Sequence, residues 1–431
     1  MGASVTAPSH DFNCLLDFGG DRTVRIWHRS TPVKTSEVES LYIEKFGQKP
    51  ACSARAPGRV ELLGNHTDYN QGFVMALAVD KCITQAASPR ADGVVEIVSA
   101  EFRQTAKFSI DSIAKDPAVP WSDYAKGLLI ELGKRGVRMG GYNAAIHSTI
   151  PLGAGLSSSA ALLVSTALVV RDLYPYSLTE TGVGLPPSRK PDGSLPELSI
   201  AEKMILSKIC QAAENKFVGV NCGLLDYISS LYGRANKVVL IDCLNLTVDW
   251  VPFPEGLSVV VCHSGVKHAL VAGEYNERRR CCEEAARALG VQSLRFVSPS
   301  DLEAGRRKLT DLQYRRAAHV VGENNRVQLG AQALRSNDLE LFGRFLFESH
   351  RSSQENFKNS CPELDLLVEL AKSDPACIGA RLTGGGFGGA TLNLVKRGHA
   401  EAFRQRMASG YEKAFGRKLE SWECEVVDGA A

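Results

Sequence analysis

The chain has no C-x-x-C pair, no run of about 18 apolar residues and no block of one charge sign, and each gap removes a class of protein. Without a long apolar run, no segment reads as a membrane helix. Fifty Lys and Arg against 48 Asp and Glu leave a net charge of +2, which gives no electrostatic footprint for nucleic acid or for an acidic surface. The twelve cysteines are scattered, and the vicinal Cys281-Cys282 doublet cannot easily staple distant segments. Reduced, mostly buried thiols are expected, not a disulfide framework or a zinc site. The first residues, MGASVT, fit a loose myristoylation pattern through Gly2 and Thr6, yet nothing polybasic follows to strengthen an anchor. The lead-in also lacks the basic start and apolar core of a secretory signal. A cytoplasmic protein with no membrane or nucleic-acid partner, working as a monomer, is the expectation.

What is present is a globular composition, 44% hydrophobic and 23% charged, over 431 residues, enough for two domains each with its own core. Residues 1–35 read as an irregular lead-in. Residues 36–47 have helical spacing and stop at Gly47. Short alternating and apolar runs then predict strands from about residue 51 to 109, an amphipathic helix at 121–136 and a strand at 141–150. Residues 174–198 hold five prolines and no period, the mark of a surface insertion. Helix resumes at 199–217, strands at 237–253 and 257–266, and a last strand follows a glycine cluster at 388–398. Periodicity alone therefore predicts mixed α+β, with a change of domain near residues 235–255.

Three stretches carry the chemistry. PLGAGLSSSAAL (151–162) is a glycine turn running into an apolar helix. Gly153 and Gly155 let the backbone approach a ligand, and Ser157, Ser158 and Ser159 are placed to cap the helix. The free N–H groups and dipole at such a helix start favour an anion, so the stretch reads as a phosphate cradle. It lacks the lysine of a P-loop and the full dinucleotide fingerprint. RLTGGGFGGATLNLV (381–395) puts five glycines in six positions around Phe387, which predicts backbone packed close to an active site. GRVELLGNHTDYNQG (58–72) crowds Arg59, Glu61, Asn65, His66 and Asp68 between glycines, a pattern suited to a small, densely hydroxylated ligand.

PLGAGLSSSAAL and LTGGGFGGA resemble the second and third motifs of the GHMP small-molecule kinases, and APGRVELLGNHTDYNQG resembles the galactokinase signature with the first motif inside it. WSDYAKG, NCGLLDYISSLYG, GEYNERRRCCE and FESHRSSQENFKNSCPELD continue the resemblance in order, over roughly residues 36 to 430. It implies a two-domain fold with the active site in the cleft: a ribosomal-S5-like α/β domain at 36–240 and a ferredoxin-like α/β domain at 241–431. It also implies ATP and Mg²⁺, and phosphorylation of the anomeric (C1) hydroxyl of galactose. In that reading Asp226 is the catalytic base and Arg59 its cationic partner. Asn65, His66, Asp68 and Tyr275 hold the sugar, with a backbone contact from Gly223. Gly153, Ala154, Gly155, Leu156, Ser157, Ser158 and Ser159 hold the phosphates, Trp121 and Tyr124 flank the adenine, and Ser159 with Glu214 holds Mg²⁺. Several of these residues also have a plainer reading: Asp226 as a helix cap, Glu214 as a solvated helix residue, His66 as a buried structural histidine, the two aromatics as core.

One departure bears on the substrate. The usual signature reads N-[LIV]-I-G-E-H-x-D-Y, whereas this chain reads Glu61-Leu-Leu-Gly-Asn65-His-Thr-Asp-Tyr69, so acid and amide have traded places. Asn65 binding the exocyclic hydroxyl, with Glu61 restoring local charge, keeps galactose as the sugar. Loss of the carboxylate at position 65 would instead admit galacturonate, and an N-acetylated or deoxy sugar is a third option. A galactose- and ATP-binding regulator without turnover is the reading from another class, and the intact loop and Arg59 with Asp226 speak against it.

Overall fold

The computed structural model of the chain describes residues 35–266 and 271–431; the lead-in before Thr35, with its Gly2 motif, lies outside the described residues. Helix α1 (Thr35–Phe46) leads into a seven-stranded sheet. Its strands are β1 (Cys52–Leu63), β2 (Phe73–Arg90), β3 (Val94–Ser99), β4 (Gln104–Ser109), β5 (Gly141–Ser148), β8 (Lys237–Asp242) and β9 (Thr247–Pro252), in the order β4-β3-β5-β2-β8-β9, with β1 along the other side of β2. The long β2 is apolar and buried along most of its length, as a strand paired on both sides must be. Packed on this sheet, or against the helices that cover it, are α2 (Asp123–Lys134), α3 (Ser158–Leu173), α4 (Ile200–Ala213) and α5 (Leu225–Tyr232). The strongly apolar α3 lies directly on β1 and β2, so its N-terminus is carried to a fixed place beside β1.

A second sheet, entirely antiparallel, runs β11-β12-β10-β13 with β10 (Leu257–His263), β11 (Cys377–Thr383), β12 (Ala390–Lys396) and β13 (Glu420–Cys424). The helices of this part of the chain are α6 (Val271–Leu289), α7 (Pro299–Ala304), α8 (Asp311–Arg335), α9 (Leu339–Ser352), α10 (Pro362–Lys372) and α11 (Ala400–Phe415); α9, α10 and α11 pack on the second sheet, while α8 packs on α6, on α9 and on β1, β2 and β9 of the first. The sheets change between Pro252 and Leu257. The expected division at 240/241 falls inside β8, because β8 and β9 are held in the first sheet by pairing of β8 with β2. Residues beyond β13 return to the first sheet, where Val427 N–H donates to Ala78 O (3.0 Å) and Ala431 N–H to Arg55 O (3.0 Å). Thr35–Ala431 is thereby one compact unit built of two sheet-based halves.

The insertion at 174–198 is not wholly aperiodic: β6 (Ser177–Thr179) and β7 (Gly182–Gly184) form a small hairpin. Two further details position side chains. β1 carries register shifts at Pro57/Gly58 and at Glu61/Leu63, on either side of Arg59 and Glu61, so a buried strand turns two charged groups toward one cleft. The helix through 200–218 changes to π spacing over Glu214–Val218, which offsets Glu214 from the regular α4 face. Among the described residues no helix is long and apolar enough to cross a membrane.

Candidate active site

A cavity of about 370 Å³ opens between the two halves. It is lined by Arg59, Glu61, Asn65, His66 and Asp68 from β1 and the loop after it, by residues 219–223 and Asp226 around the start of α5, by Tyr275 and Asn276 on α6, and by Gly384 and Gly385. All seven residues expected to act on the sugar line this one space. Glu61, expected to restore local charge beside Asn65, lines it as well; so do Asn221, Cys222 and Asn276, to which spacing assigns no role.

Arg59 and Asp226, 167 positions apart, form its centre. Arg59 Nε donates to Asp226 Oδ1 at 2.8 Å and its Nη2 lies 2.7 Å from the same oxygen, leaving Oδ2 for another partner. Arg59 Nη1 donates to Gly155 O at 2.6 Å. One guanidinium thus ties the carboxylate to the glycine loop. Asp226 sits inside the first turn of α5, after a cap position occupied by Leu224, so the plainer reading of Asp226 as the helix cap does not hold.

Asp68 and Gly223 are matched by contact. A Cβ built on Gly223 would stand 1.6 Å from Asp68 Oδ2, so only glycine leaves room for that carboxylate. Burial pushes the Asp68 carboxyl up to about 7, with the nearby Glu61 and Asp226 adding to the rise and the Tyr69 backbone opposing it. A carboxyl in that state is short of donors, and a polyol supplies them.

His66 and Asn65 are engaged differently from the expectation that both grip sugar hydroxyls. His66 Nε2 donates to Gly385 O at 3.0 Å, and its Nδ1 accepts from Tyr69 O–H at 2.9 Å. Burial lowers this imidazole to about 4, so it stays neutral and presents its ring to the cavity. Asn65 is 1% exposed. Its Nδ2 donates to Gly384 O (2.8 Å) and Glu61 Oε1 (3.2 Å), and its Oδ1 accepts from Asn359 Nδ2 (2.9 Å). Asn65 therefore locks the loop after β1 to the third glycine motif, and its amide is satisfied by protein. Glu61 is paired in turn with the fully buried Arg381 (3.2 Å); burial pushes the Glu61 carboxyl up, and Arg381 and Arg59 oppose the shift. Arg381 and Asn359 lay within stretches already singled out for their glycines and their order, but an arginine or asparagine there carries no spacing signal of its own.

The loop 151–157 runs into α3 without a side-chain cap. Ser157 occupies the N-cap place of α3 with φ 60° and makes no side-chain cap bond, and its Oγ is buried without a partner. The serines thus leave the first N–H groups of α3 open instead of capping them. A second cavity, about 220 Å³, is lined by Ser158 and Ser159 together with Phe102, Trp121, Tyr124 and Leu152. Trp121 stacks on Phe102 (ring centroids 6.0 Å apart, 4° between planes) and donates to Gln104 Oε1 at 2.9 Å, so it belongs at once to the core and to the cavity wall. An aromatic slot thus adjoins the start of α3.

Glu214 is buried, not solvated. Burial pushes its carboxyl up to about 7, opposed by hydrogen bonds from Tyr227 O–H and Ser159. The remaining group acting on it is the Asp226 carboxylate, so no cation stands among them. A buried acid flanked by a loop serine and lacking a cation fits a divalent ion carried in with phosphate. Tyr227 escaped the sequence reading because a tyrosine in an apolar helix looks like core.

Comparison with known proteins adds to this geometry. The galactokinase galactose-binding signature matches residues 40–89, the GHMP kinase N-terminal domain 123–185 and the GHMP kinase C-terminal domain 331–413. The galactokinase of Roseiflexus sp. (strain RS-1) is 39% identical over 400 residues, spanning 92% of this chain and 96% of that protein. The galactokinase of Homo sapiens is 40% identical over 403 residues, 92% of this chain and 95% of its own. Among solved structures, Lactococcus lactis galactokinase complexed with galactose superposes with a TM-score of 0.81 at 29% identity, covering 91% of this chain and 98% of that one. Methanococcus jannaschii mevalonate kinase, at 14% identity and TM-score 0.57, shares the fold alone. With relatives this similar along nearly its whole length, the chain belongs to the galactokinase family of the GHMP kinases.

Proposed function

We propose that the protein transfers the γ-phosphoryl group of ATP to the anomeric hydroxyl of galactose, giving galactose 1-phosphate and ADP. The observation that carries this reading is the link from Asp226 through Arg59 to Gly155 O, because it joins the sugar-sized cavity to the anion cradle through one charged side chain. Transfer to a hydroxyl asks chiefly for position and charge compensation. Asp226, with Oδ1 held by Arg59, offers Oδ2 to the attacking hydroxyl, orients it and accepts its proton. Asp68 accepts from ring hydroxyls, while Tyr275 and the Gly223 backbone complete the cavity wall. The backbone of residues 153–159 receives the phosphates, and Trp121 with Tyr124 bounds the adenine. Glu214 and Ser159 would hold Mg²⁺, which when bound offsets the charge of the phosphates.

Cavity charge favours a neutral sugar over galacturonate. Among the described residues, the acids Glu61, Asp68 and Asp226 line the space against one cation, Arg59, already paired with Asp226. A uronate carboxylate would meet acids and no free guanidinium among the described lining residues. The test is ADP release measured by a coupled assay with Mg²⁺-ATP and galactose, galacturonate, N-acetylgalactosamine, glucose and arabinose. Turnover of galactose well above the others is expected. Preference for galacturonate would overturn the assignment of the sugar, and silence on every sugar with binding intact would favour a regulator.

A further inference from the structure

The loop between β1 and β2, which holds Asn65, His66 and Asp68, is not in a conformation its own residues favour. Gly64 (φ 99°), His66 (φ 60°) and Gln71 (φ 58°) are all left-handed, and the second and third carry side chains. Internal bonds from Thr67 Oγ1 to Gly64 O and Phe73 O, and from Asn70 Nδ2 to His66 O, close the loop on itself. They do not determine where it stands relative to the cavity.

Besides the bonds of Asn65 and His66 to Gly384 O and Gly385 O, the backbone of the loop is gripped by α8. Glu323 Oε2 accepts from the N–H groups of Gly64 (2.9 Å) and Asn65 (3.0 Å). His319, one turn earlier, donates from Nε2 to Asn65 O (3.2 Å), its Nδ1 accepting from Ser352 O–H (3.0 Å). Asn324 Oδ1 accepts from Phe73 N–H (3.0 Å) at the far end of the loop. Glu323 is fully buried and its other oxygen is occupied by Arg326 Nε at 2.7 Å. Although burial alone would raise it, Arg326, His319, Arg381 and the Asn65 N–H together hold this carboxyl well below the usual range, so it acts as a fixed anion. None of these three α8 residues lines the cavity.

We propose that Glu323, assisted by Asn324 and His319, is a positioning residue that aims the sugar loop. On this inference α8 governs affinity for the sugar while leaving the nucleotide site untouched. It rests on the reading of the cavity as the sugar site. A buried charge satisfied by two loop N–H groups and one arginine is specific in both direction and distance, and nothing else reaches Gly64 N–H and Asn65 N–H together among the described residues.

The experiment compares Glu323→Gln, Asn324→Ala and Asp68→Asn with the unaltered chain. Galactose KM and kcat, galactose and ADP affinity by calorimetry, and Tm are measured on each. Glu323→Gln must leave a buried donor facing Arg326 or the loop, so galactose KM should rise tenfold or more, with ADP affinity within twofold. Asn324→Ala should give a smaller rise of the same kind, and it serves if Glu323→Gln does not fold. An unchanged galactose KM in a folded Glu323→Gln or Asn324→Ala variant, or equal losses for sugar and nucleotide, would overturn the proposal. If Asp68→Asn weakens galactose while the α8 variants do not, positioning alone has failed. If Asp68→Asn also leaves galactose binding intact, the sugar-site reading has failed and the proposal with it.

Discussion

Asn65 and Glu61, four residues apart on either side of a bulge, face each other at 3.2 Å with 1% and 3% of their surfaces exposed. The amide donates and the carboxylate accepts, so each residue presupposes the other. Changing Asn65→Glu would set two buried carboxylates together and aim an acceptor, not a donor, at Gly384 O. It should cost about 2–4 kcal/mol of stability and most of the activity. The double change Glu61→Asn with Asn65→Glu restores a donor opposite an acceptor and should recover much of both. A double-mutant cycle in Tm and in galactose KM checks this, and additive losses would show the pair to be uncoupled.

Asp226 and Arg59 are expected to separate binding from chemistry. Asp226→Ala should lower kcat by about 10²–10⁴ while galactose remains measurably bound. Arg59→Ala should lower kcat and weaken nucleotide binding too, since its guanidinium also holds Gly155 O. Normal turnover by Asp226→Ala would refute its role.

The pH dependence of sugar affinity should follow Asp68. Hydroxyl donors favour the ionised carboxylate, so galactose KM should rise as pH falls below about 7, and Asp68→Asn should flatten that rise. Stability has the opposite sense in the sugar-free protein. A carboxyl raised from its ordinary value of 3.8 to about 7 keeps a proton in the native state that the unfolded chain releases, so its contribution falls as pH rises through that window. Urea midpoints at pH 5 and pH 8, for the unaltered chain and Asp68→Asn, give the difference directly.

Gly223→Ala should abolish galactose binding and leave ADP binding near normal, because the added methyl would occupy the place of Asp68 Oδ2. Calorimetry with each ligand reads the contrast, and retained galactose affinity would mean the Asp68 carboxyl is free to move.

Glu214→Gln should raise the Mg²⁺ concentration needed for tight nucleotide binding tenfold or more, with galactose affinity unaffected. ADP titrations at several Mg²⁺ concentrations, and again with EDTA, check it without relying on turnover.

Much of this molecule was legible from local pattern. The glycine turn before an apolar helix, the amphipathic 121–136 segment and the alternating strands follow from backbone sterics and hydrophobic period, which act over a few residues. Arg59, Asp68, Gly223, Asp226 and Tyr275 stand out in recognisable motifs, and the fold brings those motifs to one cavity. Glu323 left a faint trace: an acid among Val320, Val321 and Val327, on a helix face that should be apolar.

Hydrogen-bond partners across long sequence separations were a matter for the tertiary structure alone. The sequence by itself determined which groups are available: an acid and an amide at 61 and 65, a serine-rich helix start, an aspartate beside a glycine. Only the tertiary packing decided that Asn65 turns inward to Gly384 and Asn359, that Ser157 leaves its helix uncapped, and that Glu323 accepts from the N–H groups of Gly64 and Asn65. The physical reason is that a polar side chain chooses its partner only after burial has removed water, and which partner is then within 3 Å depends on how sheets and helices far apart in the chain come together.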